Sequence, residues 1–430
     1  MIRSFALILL LLLNGKTFSQ KQNLSDSALL DLVQKQTFRY FWDFGHPVSG
    51  LARERSNGDN ETVTSGGSGF GIMCIPVAIE RNFITRAEGL ARMQTIVGFL
   101  KNTAEKFHGA FPHWLNGTTG AVIPFSTKDN GADLVETSYL MAGLLTARQY
   151  FSGSGTEATL RDDINTLYNN VEWDWFRNGG QQVLYWHWSP NYNWDMNVRI
   201  QGWNECLITY IMAASSTTHG IPASVYAQGW TAGGPGVFGN GATYFGYTLP
   251  LGPDKGGPLF FAHYSFLGVD PVGLNDTYAN YETQTKNHTL INYNYCVGNP
   301  KQWFGYSSRV WGLTASDVAS GYEASSPTND KSFIAPTGAL SSMPYTPTES
   351  MNALKFFYYK LGDRLFKQYG FIDAFSINAA WFAQSFLAID QGPIIVMIEN
   401  YRSRLIWNLF TSCPEVKNGM RALSFTAPYL

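Results

Sequence analysis

Charged side chains are scarce in this sequence, and neither sign is in clear excess. Of 430 residues, 14% are charged, and 30 basic side chains stand against 32 acidic ones, so the formal net charge is −2. Proteins that bind nucleic acids or anionic membrane surfaces do so through an excess of positive charge, which this chain lacks. The composition therefore excludes nucleic acid as a partner and favours an uncharged ligand.

Cysteine is also scarce, and its four residues are widely scattered: Cys74, Cys206, Cys296 and Cys413. Such spacings make a poor disulfide framework. They also lack the paired Cys or His spacing of a zinc site. We therefore expect buried free thiols, no metal and no cofactor, with a single disulfide as the alternative in an oxidising compartment.

Long apolar runs are missing except at the N-terminus. Arg3 supplies positive charge there, residues 5–13 are uninterrupted apolar residues, and Thr17 and Ser19 place small side chains at −3 and −1 of a cleavage site. This is the pattern of a secretory signal peptide, and the run is too short for a membrane span of about 20 residues. We expect residues 1–19 to be removed, the protein to be periplasmic or secreted, and no membrane insertion.

Aromatic residues, in contrast, are abundant: 13 Trp, 23 Tyr and 29 Phe make up 15% of the chain. A large core explains most Phe. Many Trp and Tyr instead lie among Asn, Gly and Pro in long loops, where aromatic rings can stack on sugar rings. Loops of this length in a compact domain are usually functional. They cover residues 46–67, 107–129, 176–199, 232–257 and 322–343.

Helical periodicity dominates the rest of the chain, and only residues 182–188 alternate like a strand. Capping boxes are predicted at Thr85–Glu88 and Thr346–Glu349. Many helices are strongly apolar, which predicts an all-α fold of nested hairpins with a buried inner ring and a half-exposed outer ring. No Ser/Pro-rich linker interrupts residues 20–430, which we interpret as one domain. Helices are predicted at 25–44, 68–82, 85–107, 131–151, 157–172, 200–217, 221–231, 257–267, 272–285, from 346, 376–389 and 392–411.

Three acidic residues lie where acids are rarely found. Asp133 and Glu136 fall on one face in the first turn of a predicted, almost wholly apolar helix. A favourable interaction with the helix dipole would be the simple explanation for both. Glu205 is the only acid in a second apolar helix and lies beside Trp203. An apolar environment favours the neutral carboxyl, which suits a general acid at neutral pH.

Glycoside hydrolysis requires a carboxylic acid that protonates the leaving oxygen and a carboxylate that activates water or attacks carbon. Two acid-bearing helix starts that face one cavity would meet this requirement. Together with the aromatic loops, the three acids predict a glycoside hydrolase.

Several segments resemble the bacterial β-1,2-glucanases of glycoside hydrolase family 144. The resemblance extends from about residue 25 to 412 and is carried by residues 41–55, 133–136, 202–207, 311–317 and 390–402. It implies an (α/α)6 barrel without metal that hydrolyses β-1,2-glucan to sophoro-oligosaccharides with inversion, and endo action is favoured. It also implies that Glu205 is the general acid and that Asp133 and Glu136 act on the water side. It does not decide which of these two activates the water.

Further polar and aromatic residues are predicted to contact the sugar, each weighed against simple packing. These are Arg53, Glu54, His113, Trp114, Tyr192, Trp194, Trp203, Asn204, Trp303 and Tyr306. Asp390 is predicted to bind a hydroxyl group or serve as a reserve base, with helix capping as the alternative. His187 could act as a base, but a histidine hydrogen-bonded between aromatic residues is the commoner arrangement.

Other interpretations stay open at this point. An exo-acting enzyme on the same barrel, or the same barrel with a different glucan, fits the residues. A polysaccharide lyase would need cationic groups for its uronate substrate, which the loops hold in small number beyond Arg53 and Arg55. A non-catalytic glycan-binding protein would need the aromatic residues but not all three acids. The β-glucan is the expected partner, and the protein is predicted to be a monomer.

Overall fold

α-Helices supply most of the regular structure in the computed structural model, which describes residues 23–234 and 236–430. The predicted signal peptide lies outside these residues. The helices are α1 (Asp26–Trp42), α2 (Ser65–Glu80), α3 (Arg86–Asn102), α4 (Leu134–Tyr150), α5 (Thr156–Asn169), α6 (Leu207–Ser215), α7 (Ala223–Val225), α8 (Tyr281–Gly298), α9 (Pro336–Leu340), α10 (Pro347–Tyr359), α11 (Gly362–Leu365), α12 (Ala388–Ser403), α13 (Leu405–Thr411) and α14 (Pro414–Ala422). A π-helical segment, Tyr226–Trp230, follows α7, and 3₁₀ turns occur at Trp175–Arg177, Asp254–Gly256, Leu259–Ala262 and Ser265–Leu267.

The strands are short and lie in the loops, paired antiparallel. They are β1 (Thr62–Thr64), β2 (Trp114–Asn116), β3 (Val122–Ile123), β4 (Ala132–Asp133), β5 (Leu184–Tyr185), β6 (His187–Trp188), β7 (Arg199–Ile200), β8 (Thr243–Tyr244), β9 (Tyr247–Thr248), β10 (Ala315–Val318), β11 (Gly321–Ala324), β12 (Phe366–Lys367), β13 (Gly370–Phe371), β14 (Phe375–Ser376) and β15 (Trp381–Phe382). The strand predicted at 182–188 is in fact two strands, β5 and β6, which pair with β7 and β4.

Six helical segments form a closed inner ring in the described part of the chain. Going round it, α2 packs on α4, α4 on α6, α6 on the 3₁₀ segment 259–267, and α9 on α12, which returns to α2. Hydrogen bonds from the 3₁₀ segment reach the turn after α9, where His263 pairs with Ser342 and Tyr345 donates to the carbonyl of Ala262. The ring helices are buried along nearly their whole length, whereas α1, α3, α5, α8, α10 and α14 pack outside them. The predicted (α/α)6 barrel is confirmed.

Glycines allow α2 and α4 to approach more closely than side chains would permit. A Cβ atom on Gly143 would lie 2.2 Å from the carbonyl oxygen of Gly69, and one on Gly69 would lie 2.3 Å from that of Tyr139. Because the clashing atoms are backbone, no side-chain rotation can relieve them. This close contact brings the start of α4 against the start of α2.

Gly143→Ala is expected to destabilise the protein by about 1–3 kcal/mol, because overpacking forces the two inner helices apart. Gly98→Ala is the matched control, since no atom lies within 4 Å of its added Cβ on the outer helix α3. There, the better helix propensity of alanine should stabilise by about 0.5–1 kcal/mol. Urea denaturation of both variants measures whether the free energy of unfolding falls in the first and rises in the second. Equal changes in both would contradict the close-packing argument.

The sequence analysis misplaced several elements. The helix predicted at 376–389 is wrong, because residues 375–382 form the β14–β15 hairpin, in which Ser376 accepts from the amide of Ala379 and Ala380 adopts a left-handed φ of 50°. The helix predicted at 272–285 begins only at Tyr281, since the side chain of Asp276 holds a turn in the preceding segment. The helix predicted at 257–267 is a pair of 3₁₀ turns.

One of the two predicted capping boxes is confirmed, and so is the prediction for the cysteines. The capping box at Thr85 and Glu88 is confirmed, with reciprocal hydrogen bonds of 3.2 and 2.7 Å. The second box is wrong, because the hydroxyl of Thr346 does not cap α10 and donates to the carbonyl of Ser342 instead. All four cysteines are free and buried, as predicted. Within residues 23–234 and 236–430, every helix is too short or too polar to cross a bilayer.

Candidate active site

A cavity of about 340 Å³ lies where several inner-ring helices begin. The antiparallel pair β1–β2 brings Thr64, the N-cap of α2, opposite Trp114. The N-terminal end of α12 contributes Leu387 and Ile389, and the β10–β11 hairpin contributes Tyr322. The cavity is lined by Glu54, Arg55, Thr64, His113, Trp114, Phe125, Tyr322, Leu387 and Ile389.

Asp133 is the N-cap of α4 and is fully buried. Its Oδ1 accepts hydrogen bonds from the amides of Val135 and Glu136 at 3.0 and 2.9 Å. Its Oδ2 lies 3.1 Å from Nδ1 of His113. Burial opposes the charged form of Asp133, but the hydrogen bond from His113 and the charge of His187 hold the pKa of this carboxyl below its ordinary value. Asp133 is therefore a permanent anion that combines the capping role with an ion pair.

Glu136 lies one turn further along α4 and points at the start of α2. Its Oε2 accepts from the amide of Gly66 at 2.7 Å and from the hydroxyl of Thr64 at 3.3 Å. A Cβ at Gly66 would lie 2.5 Å from this oxygen, so only glycine allows the contact. Oε1 accepts no hydrogen bond from the described residues. Burial raises the pKa of Glu136, and the charge of His113 acts against the rise.

Glu205 lies in a turn two residues before α6, not in the first turn of the helix as predicted. Its carbonyl oxygen accepts hydrogen bonds from Ser265 at 2.5 Å and from Tyr139 at 3.4 Å, which fixes the backbone. Burial raises the pKa of Glu205 to about 7, and the negative charges of Glu136 and Asp133 add to the rise. Because Tyr139 belongs to α4, the turn that carries Glu205 lies against the helix whose first turn carries Asp133 and Glu136.

Two further titratable residues, Asp129 and His187, complete this group. The β4–β6 pairing places His187 directly opposite Asp133, and its Nε2 lies 3.5 Å from Oδ2 of the buried Asp129. Burial and the charge of Asp133 raise the pKa of Asp129 to about 7. Burial alone would lower the pKa of His113, but Glu136 and Asp133 outweigh it and raise this pKa to about 9. The sequence analysis missed Asp129 because it ends a polar loop where acids are common.

One subset of this group has the spacing of a cation site. The ligand atoms of His113, Asp129 and Asp133 lie within 4.8 Å of one another. At 3.1 Å, however, the His113 imidazolium already neutralises Asp133 as a hydrogen-bonded ion pair. His113 therefore compensates the charge of Asp133 within this subset.

Four more acids and one arginine form what we call the acidic wall: Glu54, Asp317, Asp373 and Asp390, together with Arg55. Nη1 of Arg55 contacts the carboxylate of Asp317 at 3.2 and 3.4 Å, and its Nε contacts Glu54 at 2.9 Å. Asp317 also accepts a hydrogen bond from Ser385 at 2.5 Å, and its own amide donates to Asp373 at 2.6 Å.

Burial raises the pKa of three acids in this wall. The pKa of Glu54 rises despite Arg55, that of Asp373 rises to about 7, and that of Asp390 rises well above its ordinary value. Asp373 is an isolated acid in an apolar, strand-like stretch of the sequence. The same feature indicated Glu205, but Asp373 was not among the predicted site residues. Asp390 neither caps α12, whose N-cap is Leu387, nor lines the cavity.

Aromatic rings form one side of the cavity. Phe125 packs on His113 and Trp114 with ring centroids 4.4 and 4.8 Å apart, and it leaves 50% of its surface exposed. Tyr322 lines the same cavity and is also exposed. The sequence analysis named neither Phe125 nor Tyr322, because their exposure depends on tertiary placement.

Of the predicted sugar contacts, Glu54, His113 and Trp114 line the cavity. The others serve different purposes. Trp203 is buried against Trp230 and Tyr281, and Asn204 accepts from the amide of Cys206.

The remaining predicted contacts also lie away from the cavity lining. Arg53 donates to backbone carbonyls and stacks on Phe44. Both Trp303 and Tyr306 donate to the buried Asp330. The ring of Trp194 packs on Trp175, and the side chain of Tyr192 is exposed.

Comparisons with known proteins agree with this architecture. Residues 197–414 match the family model Glycoamylase, described as "Putative glucoamylase". A solved endo-β-1,2-glucanase from Chitinophaga pinensis is 52% identical, covers 95% of this chain and 100% of its own, and superposes with a TM-score of 0.92. An exo β-1,2-glucooligosaccharide sophorohydrolase from Parabacteroides distasonis is 45% identical over 93% of this chain, which spans only 58% of that protein's length.

A more distant structure shares the fold alone. An endo-β-1,2-glucanase from Talaromyces funiculosus is 11% identical, with a TM-score of 0.62 over 94% of this chain and 92% of its own. The high identity and complete coverage of the Chitinophaga structure are decisive for the assignment. The chain belongs to glycoside hydrolase family 144, the bacterial β-1,2-glucanases.

Proposed function

We propose that this protein cleaves β-1,2-glucan within the chain, by single displacement with inversion at the anomeric carbon. The observation that carries the proposal is that Glu136 and Asp133 contact the cavity-lining residues Thr64 and His113, while the turn of Glu205 lies against the same helix, α4. Endo action is supported by the similarity to the Chitinophaga endo-glucanase over that protein's whole length.

The geometry supports distinct roles for the three acids. Glu205 is the general acid, because its raised pKa keeps it protonated up to neutral pH. Glu136 orients and deprotonates the water, because its Oε1 is not engaged by the described residues. Asp133 has both oxygens occupied, by two amides and by His113, so it positions rather than reacts.

The alternatives fit the site less well. A lyase would have to accommodate uronate groups, yet the only arginine that lines the cavity, Arg55, is already neutralised by Glu54 and Asp317. The surrounding carboxylates would repel a polyuronate. A non-catalytic binding protein has no need of three acids gathered at the starts of two neighbouring inner helices. A starch-degrading enzyme, which the name of the matching family model suggests, is tested directly below.

Incubation with linear β-1,2-glucan, with analysis of the products over time, tests the proposal. A mixed ladder of oligosaccharides that shortens with time is expected. A single short oligomer from the start would instead establish exo action. No cleavage, or faster cleavage of starch in a parallel reaction, would refute the substrate assignment. Proton NMR of the first products should show the α-anomer, because a β-linkage is cleaved with inversion.

The rate should decline on the alkaline side as pH rises through about 7, because Glu205 loses its proton there. On the acidic side the limit should lie above the ordinary pKa of a glutamic acid, since burial raises that of Glu136. The pH dependence of kcat/KM reports both groups in the free enzyme. Asp129 titrates in the same range, so Asp129→Asn is the control and should leave the alkaline limit in place. Activity that stays constant well above neutral pH would contradict the role of Glu205.

Phe125→Ala should raise KM roughly threefold to tenfold and change kcat less, because a stacked ring contributes about 0.5–1.5 kcal/mol beyond its buried area. The matched control is Phe304→Ala, since this ring is 73% exposed and does not line the cavity. Steady-state kinetics on β-1,2-glucan compares them. An equal effect of both substitutions would show that Phe125 is no specific sugar platform.

We also propose export through the N-terminal signal. The expected localisation is the periplasm or the medium, and the expected species is a monomer. Cell fractionation with N-terminal sequencing tests cleavage after Ser19, and light scattering tests the assembly state. A retained N-terminus in the cytosolic fraction would refute export.

A further inference from the structure

Two carboxyl groups of the acidic wall are buried against each other with oxygens that have no assigned partner. Asp373 and Asp390 are 1% and 2% exposed. Oδ1 of Asp373 and Oδ2 of Asp390 accept no hydrogen bond from any donor in the described residues. The two side chains nevertheless lie within hydrogen-bonding distance of each other. Neither carboxylate has a proton to donate, so this contact is favourable only if one of them is protonated.

The charges around the pair lead to the same conclusion. The other ionisable side chains whose charges interact with the pair are Arg55, Asp317, Tyr40, Tyr264 and Tyr322. Arg55 is the only cation among them, and it already contacts Glu54 and Asp317. A second full negative charge on the Asp373–Asp390 pair would therefore be both buried and uncompensated. Burial of an unpaired charge is far more costly than retention of a proton.

The pair joins three parts of the cavity wall. Asp390 belongs to the first turn of α12, next to the lining residue Ile389. Asp373 accepts the amide of Asp317 on β10 through its other oxygen. Asp317 contacts Arg55 and lies directly opposite Tyr322 in the β10–β11 hairpin.

We propose that Asp373 and Asp390 share one proton and act as a positioning pair that ties α12 to the β10–β11 hairpin and so holds Arg55 and Tyr322 at the sugar cavity. Neither carboxyl touches substrate. The effect on substrate binding rests on the proposed function, whereas the shared proton does not.

Infrared difference spectroscopy of the whole protein tests the proton directly. A protonated carboxyl group has a C=O stretch that shifts in D₂O and that carboxylates lack. Wild type minus Asp390→Asn should show this band at neutral pH, and so should wild type minus Asp373→Asn, because an asparagine amide donates to the remaining carboxylate. Both asparagine variants should keep the wild-type melting temperature. A spectrum with no band for either variant, with the fold intact, would refute the shared proton.

Kinetics separates positioning from bulk structure. Asp390→Asn retains a donor to Asp373 and should keep KM near that of wild type. Asp390→Leu removes the partner of Asp373 on α12, leaves only its contact with the amide of Asp317, and should raise KM about tenfold, with kcat less affected. An equal KM in the leucine and asparagine variants, both folded, would refute the positioning role. A protein that fails to cleave β-1,2-glucan but shows the infrared band would refute the proposed function and leave the shared proton standing.

Discussion

Glu205→Gln is expected to lower kcat on β-1,2-glucan by roughly 10²–10⁴-fold, the usual contribution of a general acid. Glutamine has the same shape as glutamic acid but has no proton to give to the leaving oxygen. The backbone of Glu205 is held through its carbonyl oxygen, by Ser265 and Tyr139, so the substitution leaves those contacts intact. Initial rates and thermal denaturation of both proteins measure the two effects.

The melting temperature should stay near the wild-type value, and the pH dependence gives a sharper check. Because the folded protein raises the pKa of Glu205 to about 7, its neutral form is favoured in the fold. The stability contributed by this proton is present at low pH and is lost as pH rises through about 7. Glutamine does not titrate, so the variant should become the more stable protein on the alkaline side.

An activated substrate separates the acid role from simple disruption. An aryl sophoroside has a leaving group that needs little protonation, so Glu205→Gln should lose far less activity on it than on the glucan. An equal loss on both substrates would mean that Glu205 has a role other than proton donation. Activity near that of wild type on the glucan would remove Glu205 as the acid.

Helix boundaries were predictable where capping residues mark them in the sequence. α3 and α4 carry their boundaries in the sequence, through the Thr85–Glu88 capping box and through Asp133, so their prediction is confirmed within a few residues. The segment 376–389 failed because its apolar residues suit a hairpin as well as a helix. Only the left-handed turn at Ala380 and the pairing of β14 with β15 decide between the two.

The site residues, too, were predictable only where the signal is local in the sequence. An acid in an apolar stretch is visible in the sequence, which is why Asp133, Glu136 and Glu205 were found. Trp203 beside Glu205 suggested a sugar platform, yet the chain turns there and buries the ring against Trp230. No sequence pattern distinguishes an aromatic ring that is buried in the core beside the site from one that lines the cavity.

Contacts between distant parts of the chain could not be predicted from the sequence. Phe125 and Tyr322 are separated by nearly 200 residues and line one cavity only because the loop after β3 and the strand β11 lie near the same end of the barrel. Asp317 belongs to a recognised motif, but its bonds to Arg55 and Ser385 depend on long-range packing. Such contacts depend on the tertiary fold, which the periodicity of the sequence does not predict.

Glu136→Gln and Asp133→Asn are expected to abolish activity for different reasons, and the comparison decides which acid activates the water. In Glu136→Gln, the amide oxygen can still accept from Gly66 and Thr64, so the fold should be retained. The base is lost, and kcat should fall roughly 10²–10⁴-fold.

Asp133→Asn retains an oxygen for the two amides at the start of α4 but breaks the buried ion pair with His113. The free energy of unfolding should therefore fall by about 1–3 kcal/mol. The folded protein lowers the pKa of Asp133, so its stabilising contribution is present at neutral pH and is lost as pH falls through that pKa. The stability difference between this variant and wild type should accordingly shrink in acid.

Urea denaturation at neutral and acidic pH, together with kcat for both variants, distinguishes the two roles. The outcome that supports Glu136 as the base is a stable, inactive Glu136→Gln beside a destabilised Asp133→Asn. The reverse outcome, with Glu136→Gln active and Asp133→Asn inactive but fully stable, would transfer the base role to Asp133. The structure favours the first, because both oxygens of Asp133 are engaged, Oδ1 by two amides and Oδ2 by His113, whereas Oε1 of Glu136 accepts no hydrogen bond from the described residues.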